Sequence, residues 1–265
     1  MIKILFLGDD TRSKNAAEFL KIKNISIKTA ILKNKSQLNK VYDAYIFPIP
    51  ISLDGKTLNN NLVKLSIVDI IEKIPTNALV ITGGKITRES VDIVNRDDFS
   101  YKNAIPTAEG AIAIAMNSTD ITLSESKILV TGFGRVSKIL IKKLCGLCND
   151  ITVALRNKSD LVLIETLGIK VIPIEKIAVY ISKYNIIFNT IPYKIFDRET
   201  LSHADSNNLF IELASAEQGF DTTAIKEFNL NYINAPGLPN KVAPKTAAYI
   251  LAETIINILE EKNLI

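Results

Sequence analysis

The stretch KILVTGFGRVS, Lys127 to Ser137, decides how the rest of the chain reads. Ile128 to Val130 is a short apolar run of the kind that forms a buried strand. The chain then turns through Gly132 and Gly134 into an amphipathic run with Val136, Ile139, Leu140, Leu144 and Leu147 on one face. Strand, glycine turn and helix in that order are the setting in which G-x-G predicts a bound dinucleotide. Gly132 permits the tight turn, and Gly134 lets the backbone approach a pyrophosphate. The N–H groups and positive end of the new helix then face that anion. Ser137 stands where a third glycine would complete G-x-G-x-x-G, and it is small enough to keep helix and strand packed.

On the carboxyl side of this turn the alternation continues. Ile151 to Leu155 is the second strand, Ser159 caps a helix stopped by Gly168, and Val171 to Ile174 is a third strand. Ile186 to Phe188 leads into Asn189-Thr190-Ile191-Pro192, Leu209 to Leu213 into Ala214-Ser215, and Asn231 to Ile233 is the last strand. The strand ends at Gly132, Arg156, Asn189 and Ala214 are expected to ring the cofactor. The second of them selects it. NAD sites place an acid about 20 residues beyond the glycines, on the ribose hydroxyls. Here the strand ends Leu155-Arg156-Asn157-Lys158, with no acid until Asp160. A guanidinium clamps a 2′-phosphate that a carboxylate would repel, so NADP is favoured over NAD.

On the amino side, Ile2 to Leu7 is a strand ending in Gly8-Asp9-Asp10-Thr11-Arg12, with Ser13 able to cap the helix that follows. Ile25 to Leu32, Ala44 to Phe47 and Ala78 to Thr82 are further strands, and Leu65 to Ile74 reads as a helix. Repeated strand–helix alternation predicts an α/β protein of two doubly wound parallel-sheet domains linked by crossover helices. The expected division is a substrate domain over 1–106, to which a terminal helix over 243–265 returns, and a linking helix with the dinucleotide domain over 107–242. Ligands gather at the carboxyl ends of such strands. That places Asp9, Asp10, Arg12, Pro48, Pro50, Ser52, Gly83, Gly84 and Lys85 near a ligand.

Between the two alternating halves lies IPTAEGAIAIAMNS, small or apolar at every position from Ala111 to Met116 and so expected to be buried all round. Thr107 is expected to cap it. Glu109 has two readings: it complements the helix dipole, or it is a carboxylate in the cleft between domains. Later, Pro236-Gly237-Leu238-Pro239-Asn240-Lys241 is a rigid turn that cannot continue a strand. Lys241 and Lys245 beyond it are candidate anion contacts.

Composition closes off several other functions. Of 265 residues 47% are hydrophobic and 23% charged, which suits packed soluble domains. The net charge is +4, but basic residues are scattered and aromatics are 7%, so no basic stripe with stacking rings marks a nucleic-acid site. No apolar run reaches the roughly 18–20 residues of a membrane span. MIKILFLGDD carries acids and a glycine where a signal peptide would stay apolar, so a cytoplasmic protein is expected. Cys145 and Cys148 come late in the helix after the glycine turn, away from the helix N-terminus that redox pairs exploit, and read as structural thiols. No second cysteine pair or histidine cluster offers a metal site. His203, the only histidine, precedes a strand at its amino end and reads as a surface residue.

Several blocks in order, namely GDDTR, PIPIS, ITGGKI, IPTAEGAIAIAM, VTGFGRVSK, NTIPYKIF, IELAS with GFD, and APGLPNKVAPKTA, resemble the A subunits of dipicolinate synthase over nearly the whole chain. Members of that family look like two-domain Rossmann dehydrogenases. The resemblance implies oxidation of dihydrodipicolinate, a product of the lysine pathway, to dipicolinate during sporulation in the mother cell, with NADP accepting hydride. It implies a second, flavoprotein-like B subunit as partner, and an oligomer is expected. It carries a cofactor role onto Gly132, Phe133, Gly134, Arg135, Val136 and Asn189 to Pro192. To these the strand ends add Arg156, Asn157, Lys158, Ala214 and Ser215. It gives Thr107, Glu109, Gly237 and Lys241 places in the cleft, Gly237 being counted with the cofactor contacts. A flat dicarboxylate needs cations or N–H donors; Arg12, Ser52, Gly83, Gly84, Lys85 and Lys241 are the candidates. Glu109, with Thr107, is the candidate for acid–base work. Two alternatives remain: another NAD(P) dehydrogenase acting on a hydroxy or amino acid, and a nucleotide-binding subunit without chemistry of its own.

Overall fold

A computed structural model describes residues 1–23, 26–214 and 219–265. The chain divides into two compact units, one of residues 1–103 with 243–265 and the other of residues 104–242.

The first unit is built on β1 (Ile2–Phe6), β2 (Ile27–Ile31), β3 (Ala44–Ile46), β4 (Leu79–Thr82) and β5 (Val91–Asp92), with helices α1 (Thr11–Lys23) and α2 (Ile67–Lys73). The sheet is parallel throughout, in the order β2-β1-β3-β4-β5. Alternate residues of β1 feed opposite cores, as strand geometry requires. Ile4 and Phe6 join Ala16, Leu20, Leu251 and Ile255 on one face, and Leu5 and Leu7 join Tyr45, Phe47 and Ile70 on the other. The order reverses between β1 and β3, so the loops after these strands flank the crevice where such sheets receive ligands.

Helix α3 (Asp97–Asn117) runs from the first unit into the second. The second unit continues with β6 (Lys127–Thr131), α4 (Arg135–Leu144), β7 (Asp150–Leu155), α5 (Lys158–Thr166), β8 (Lys170–Pro173), α6 (Ile177–Tyr180), β9 (Ile186–Asn189), α7 (Arg198–Ser202), β10 (Leu209–Glu212), α8 (Thr222–Glu227), β11 (Asn231–Asn234) and α9 (Leu238–Val242). Its six strands are parallel in the order β11-β10-β9-β6-β7-β8. Counted from β6 this is 3-2-1-4-5-6 read from the β8 edge, the doubly wound order of dinucleotide-binding sheets. Ile128 and Val130 pack on one side, and Leu129, Ile187 and Phe210 on the other. The last helix, α10 (Pro244–Glu261), belongs to the first unit, where it packs along α1. Among the described residues no helix is long and apolar enough to cross a membrane.

The α/β class with two doubly wound sheets stands as expected, and several local readings change. Asp10, not Ser13, caps α1: its carboxylate accepts from the Ser13 N–H at 3.1 Å and from the Ser13 hydroxyl at 2.7 Å. Asn157, not Ser159, caps α5, accepting from the N–H groups of Ser159 and Asp160. Thr107 caps nothing, because α3 begins ten residues earlier at Asp97, where Asp97 and Asp98 complement the dipole of the first turn. Glu109 therefore sits in mid-helix, and its dipole role falls away. Ala113 and Met116 are exposed, so this segment is not buried all round. The 236–241 turn contains the short helix α9. Strand β2 starts at Ile27, and the expected start at Ile25 lies outside the described residues.

Candidate functional site

The carboxyl ends of β10, β9, β6 and β7 lie side by side, and the two glycines after β6 differ in what holds them. Gly132 has φ +85°, and a Cβ there would meet Thr190 Oγ1 at 2.9 Å and Ile191 Cγ1 at 3.0 Å. Backbone and neighbours both require glycine at this position. Gly134, the N-cap of α4, has φ −81° and ψ −169°, open to any residue, and among the described residues a Cβ there would meet nothing within 4 Å. Neither its conformation nor packing by the described residues accounts for Gly134; open space beside the first N–H groups of a ten-residue helix is what a pyrophosphate needs. Ser137 is fully buried and donates its hydroxyl to Gly134 O at 3.0 Å, so it fills the position of the third glycine within the helix's first turn. Phe133 lies under the Lys138 ammonium, 4.9 Å from ring centre to nitrogen, and Arg135 and Val136 form the start of α4.

The loop after β9 is tied to the glycine turn by hydroxyl and amide bonds. Thr190 Oγ1 donates to Thr131 O at 2.7 Å, and Thr131 Oγ1 donates to Asn189 Oδ1 at 2.5 Å. Asn189 is fully buried, and its Nδ2 donates to Glu212 Oε1 at 2.9 Å and to Ile191 O at 3.0 Å. Glu212 is absent from the candidates that the sequence suggests. Its only signal is an acid closing the apolar run Leu209-Phe210-Ile211. Burial pushes its pKa up, against the opposing effect of three donors, Ala214 N, Gly219 N and Asn189 Nδ2. Pro192 is exposed, Ala214 half-buried, and Ser215 lies outside the described residues.

At the end of β7, Arg156 and Lys158 are exposed. The Asn157 side chain is already engaged, accepting from Ser159 N at 2.9 Å and Ser159 Oγ at 2.7 Å, which leaves cations rather than amides as the chemistry this edge offers a ligand.

Thr107 and Glu109 are brought to different faces of α3. Gly110, one turn beyond Thr107, packs on α9 with a virtual Cβ 3.0 Å from Val242 and 3.2 Å from Leu238. Residues three apart share a helix face, so Thr107 lies on the side of α3 that faces α9. Glu109 shares the opposite side with Ala113 and Met116, and its Oε1 takes Lys143 Nζ at 2.8 Å. Lys143 is in the last turn of α4, about 12 Å along the axis from Arg135 at 1.5 Å per residue. The structure therefore pairs Glu109 with the end of α4 that lies away from the glycine turn. On α9, the buried Asn240 Oδ1 has no hydrogen-bond partner, a feature that its sequence context does not signal. Gly237, with φ +67°, and the exposed Lys241 flank it in sequence.

In the first unit the outstanding group is Arg12. It is 6% exposed, at the second residue of α1, and its Nε is buried with no hydrogen-bond partner among the described residues. Burial lowers its pKa and the charge of Asp10 pulls it partly back. A buried guanidinium nitrogen left unbonded is costly, and an anion is the ligand that relieves it. The other candidates here have internal uses. Ser52 donates to Asp54 Oδ1 at 2.8 Å, and a Cβ on Gly83 would strike Ile49 at 2.7 Å. Gly84, with φ +148°, takes the Thr82 hydroxyl on its carbonyl at 2.7 Å, and Lys85 is exposed. Asp9 is buried and anchors the 60–63 loop through the Asn61 N–H at 2.9 Å.

A glycine turn at the switch point of a 3-2-1-4-5-6 sheet, in a chain that carries a second parallel unit, defines a Rossmann-type protein of the dehydrogenase class. The chain belongs to the family of dipicolinate synthase A subunits: it is 30% identical to the A subunit of the Bacillus subtilis enzyme over 203 residues, 73% of this chain and 68% of the relative. The crystal structure of the dipicolinate synthase A subunit from Bacillus halodurans superposes with a TM-score of 0.86 at 26% identity, covering 97% of each chain. A transhydrogenase from Sinorhizobium meliloti shares the fold, with a TM-score of 0.62 at 14% identity over 98% of this chain and 94% of that one. No protein-family model matches the chain.

Proposed function

We propose that this chain oxidises dihydrodipicolinate to dipicolinate, with NADP as hydride acceptor, in partnership with a separate B subunit and in the mother-cell cytoplasm of sporulating cells. The observation that carries the reading is Gly134, a glycine that neither backbone conformation nor packing by the described residues demands, at the N-cap of α4 on the carboxyl edge of the second sheet. The family's name supports dipicolinate as the product, and the relative's designation as an A subunit supports a partner subunit.

NADP, when bound, supplies the electrophilic ring carbon that takes a hydride. The residues proposed to hold its pyrophosphate are Gly132 to Val136, with Thr190 to Pro192 and Ala214 along the neighbouring strand ends and Gly237 beyond them. Arg156 and Lys158 are proposed to hold the 2′-phosphate, supported by their exposure and by the absence of an acid before Asp160. On the substrate side Arg12 is proposed to meet a carboxylate. Its buried, unbonded Nε supports this, since a guanidinium–carboxylate pair is charge-assisted and geometrically matched. Lys241, Lys85, Ser52 and the Gly83-Gly84 turn are proposed as further contacts, and Thr107 as a hydroxyl contact. Glu109 has no part in this reading, being paired with Lys143.

The test is direct. The purified chain, given dihydrodipicolinate and NADP, should raise absorbance at the NADPH band without the added B subunit. Absorbance that rises only when that partner is present points to a nucleotide-binding or co-dependent subunit, and a flat trace under both conditions removes the proposal.

A further inference from the structure

The carboxylate of Glu212 ends β10 with no exposed surface, and each of its hydrogen bonds comes from a donor. Oε1 accepts from Asn189 Nδ2 at 2.9 Å and from the Ala214 N–H at 3.0 Å; Oε2 accepts from the Gly219 N–H at 2.7 Å and from Asn189 Nδ2 at 3.2 Å. An ionised carboxylate offers acceptors only, so this constellation suits the anion. The fit around the amide is close. A Cβ on Gly219 would lie 2.0 Å from Asn189 Nδ2, so only glycine leaves room for the side chain that meets Glu212.

Glu212 thereby fixes which way the Asn189 amide faces. With Nδ2 turned to the carboxylate, Oδ1 is left to accept the Thr131 hydroxyl at 2.5 Å and the Ile191 N–H at 3.1 Å. Thr190, between them in sequence, sends its hydroxyl to Thr131 O at 2.7 Å and sets the close approach to Gly132. One anion on β10 thus orders three strand ends, those of β10, β9 and β6.

We propose that Glu212 is a positioning residue: its charge locks the Asn189 amide, and through it the 189–192 loop, against the glycine turn where the dinucleotide is to lie. The proposal rests on the reading of that turn as a nucleotide site. The isosteric neutral side chain separates it from simple space-filling. Glu212→Gln points an NH2 group at donors, and the relief available is a flip of Asn189, which turns Nδ2 onto the Ile191 N–H and breaks that bond.

The experiment compares wild type, Glu212→Gln and Thr131→Val as full chains, by amide hydrogen exchange without ligand, by NADPH titration and by nucleotide kinetics. In Glu212→Gln, exchange at Ile191, Ala214 and Gly219 should rise about tenfold or more while β7 amides keep their protection, as loss of a hydrogen bond to a charged group predicts. NADPH should bind about tenfold more weakly, with the nucleotide KM rising by more than kcat falls. Thr131→Val should leave both Ile191 and Gly219 protected, because Glu212 still holds the Asn189 amide. A folded Glu212→Gln with wild-type exchange at Ile191 overturns the proposal, and so does a released loop with unchanged NADPH affinity. Should Glu212→Gln not fold, Asn189→Ala, measured in the same way, decides: unchanged exchange at Ile191 and unchanged affinity overturn it. If wild-type protein binds no nicotinamide nucleotide yet the exchange pattern changes as expected, the loop anchoring stands and the nucleotide reading of the turn falls instead.

Discussion

Lys143 Nζ lies 2.8 Å from Glu109 Oε1, joining the last turn of α4 to the middle of α3 within the second unit. The pair has side chains 32% and 55% exposed, and a surface pair of this kind contributes about 0–1 kcal/mol. Glu109→Gln should therefore leave turnover within about twofold of wild type and cost no more than that in stability. Steady-state rates beside a thermal melt check it, and a loss of turnover by about a hundredfold, some 2.7 kcal/mol, would return Glu109 to the chemistry.

The two glycines of the turn should separate stability from binding. Gly132→Ala places a Cβ at φ +85° and 2.9 Å from Thr190 Oγ1, which should cost about 1–2 kcal/mol or more and lower the melting temperature by several degrees. Gly134→Ala meets nothing among the described residues and replaces an accepted N-cap by a poor one, at about 1 kcal/mol or less. Its effect should fall on NADPH affinity, weakened by about tenfold. Melting curves with and without nucleotide distinguish the two.

Arg12→Met should stabilise the unliganded protein while harming substrate binding. The guanidinium is buried and its Nε unbonded, so its replacement by an apolar side chain of similar length removes a desolvation cost of about 1 kcal/mol or more. The same change deletes the proposed carboxylate partner, and the substrate KM should rise by about tenfold or more. A rise in melting temperature with unchanged substrate KM would show Arg12 to be mere burden.

Arg156→Ser removes the exposed cation at the end of β7. The ratio of catalytic efficiency with NADP to that with NAD should fall about tenfold, the equivalent of one lost charge-assisted contact of roughly 1.4 kcal/mol. Kinetics with both nucleotides measure it directly.

Arg96 gives a pH-dependent test in the first unit. Its guanidinium bonds Asp98 at 2.8 Å and Glu261 at 2.6 Å, and it is the main cause of the Asp98 pKa falling to about 2, against the opposing effect of burial. A carboxyl held below its unfolded value of about 3.9 contributes stability that is present above that pH and lost as pH falls through about 2. Arg96→Met should lower stability at pH 7 by on the order of 1 kcal/mol, allowing for partial exposure, and the difference should shrink towards zero near pH 2. Melts at the two pH values check both halves.

The sheets were legible because buried parallel strands read as plain apolar runs: Ile128 to Val130 and Ile186 to Phe188 need no partner to be recognised. Caps were less so. Asp10 with Ser13, and Asn157 with Ser159, are pairs in which either residue has the chemistry, and only the direction of chain entry picks one. The start of α3 is hidden by Pro106, which sits inside the helix, and the acids that mark the true first turn lie at 97 and 98. Glu212 was out of reach for a different reason. Its partners come from residues 189, 214 and 219, so its burial as an anion is a property of the assembled sheet edge.

Helix α10, made from residues 244–261, supplies Ala248, Ile250, Leu251, Ala252, Ile255, Ile258 and Leu259 to a core whose other members include Ile2, Ile4 and Phe6. On the ribosome, the strands synthesised first must wait for these late residues, with the whole of 104–242 emerging in between. The later-made sheet is thus free to fold before the earlier one can close, and a chain released at Val242 would carry all the strands of the second unit beside a first unit lacking these seven core side chains.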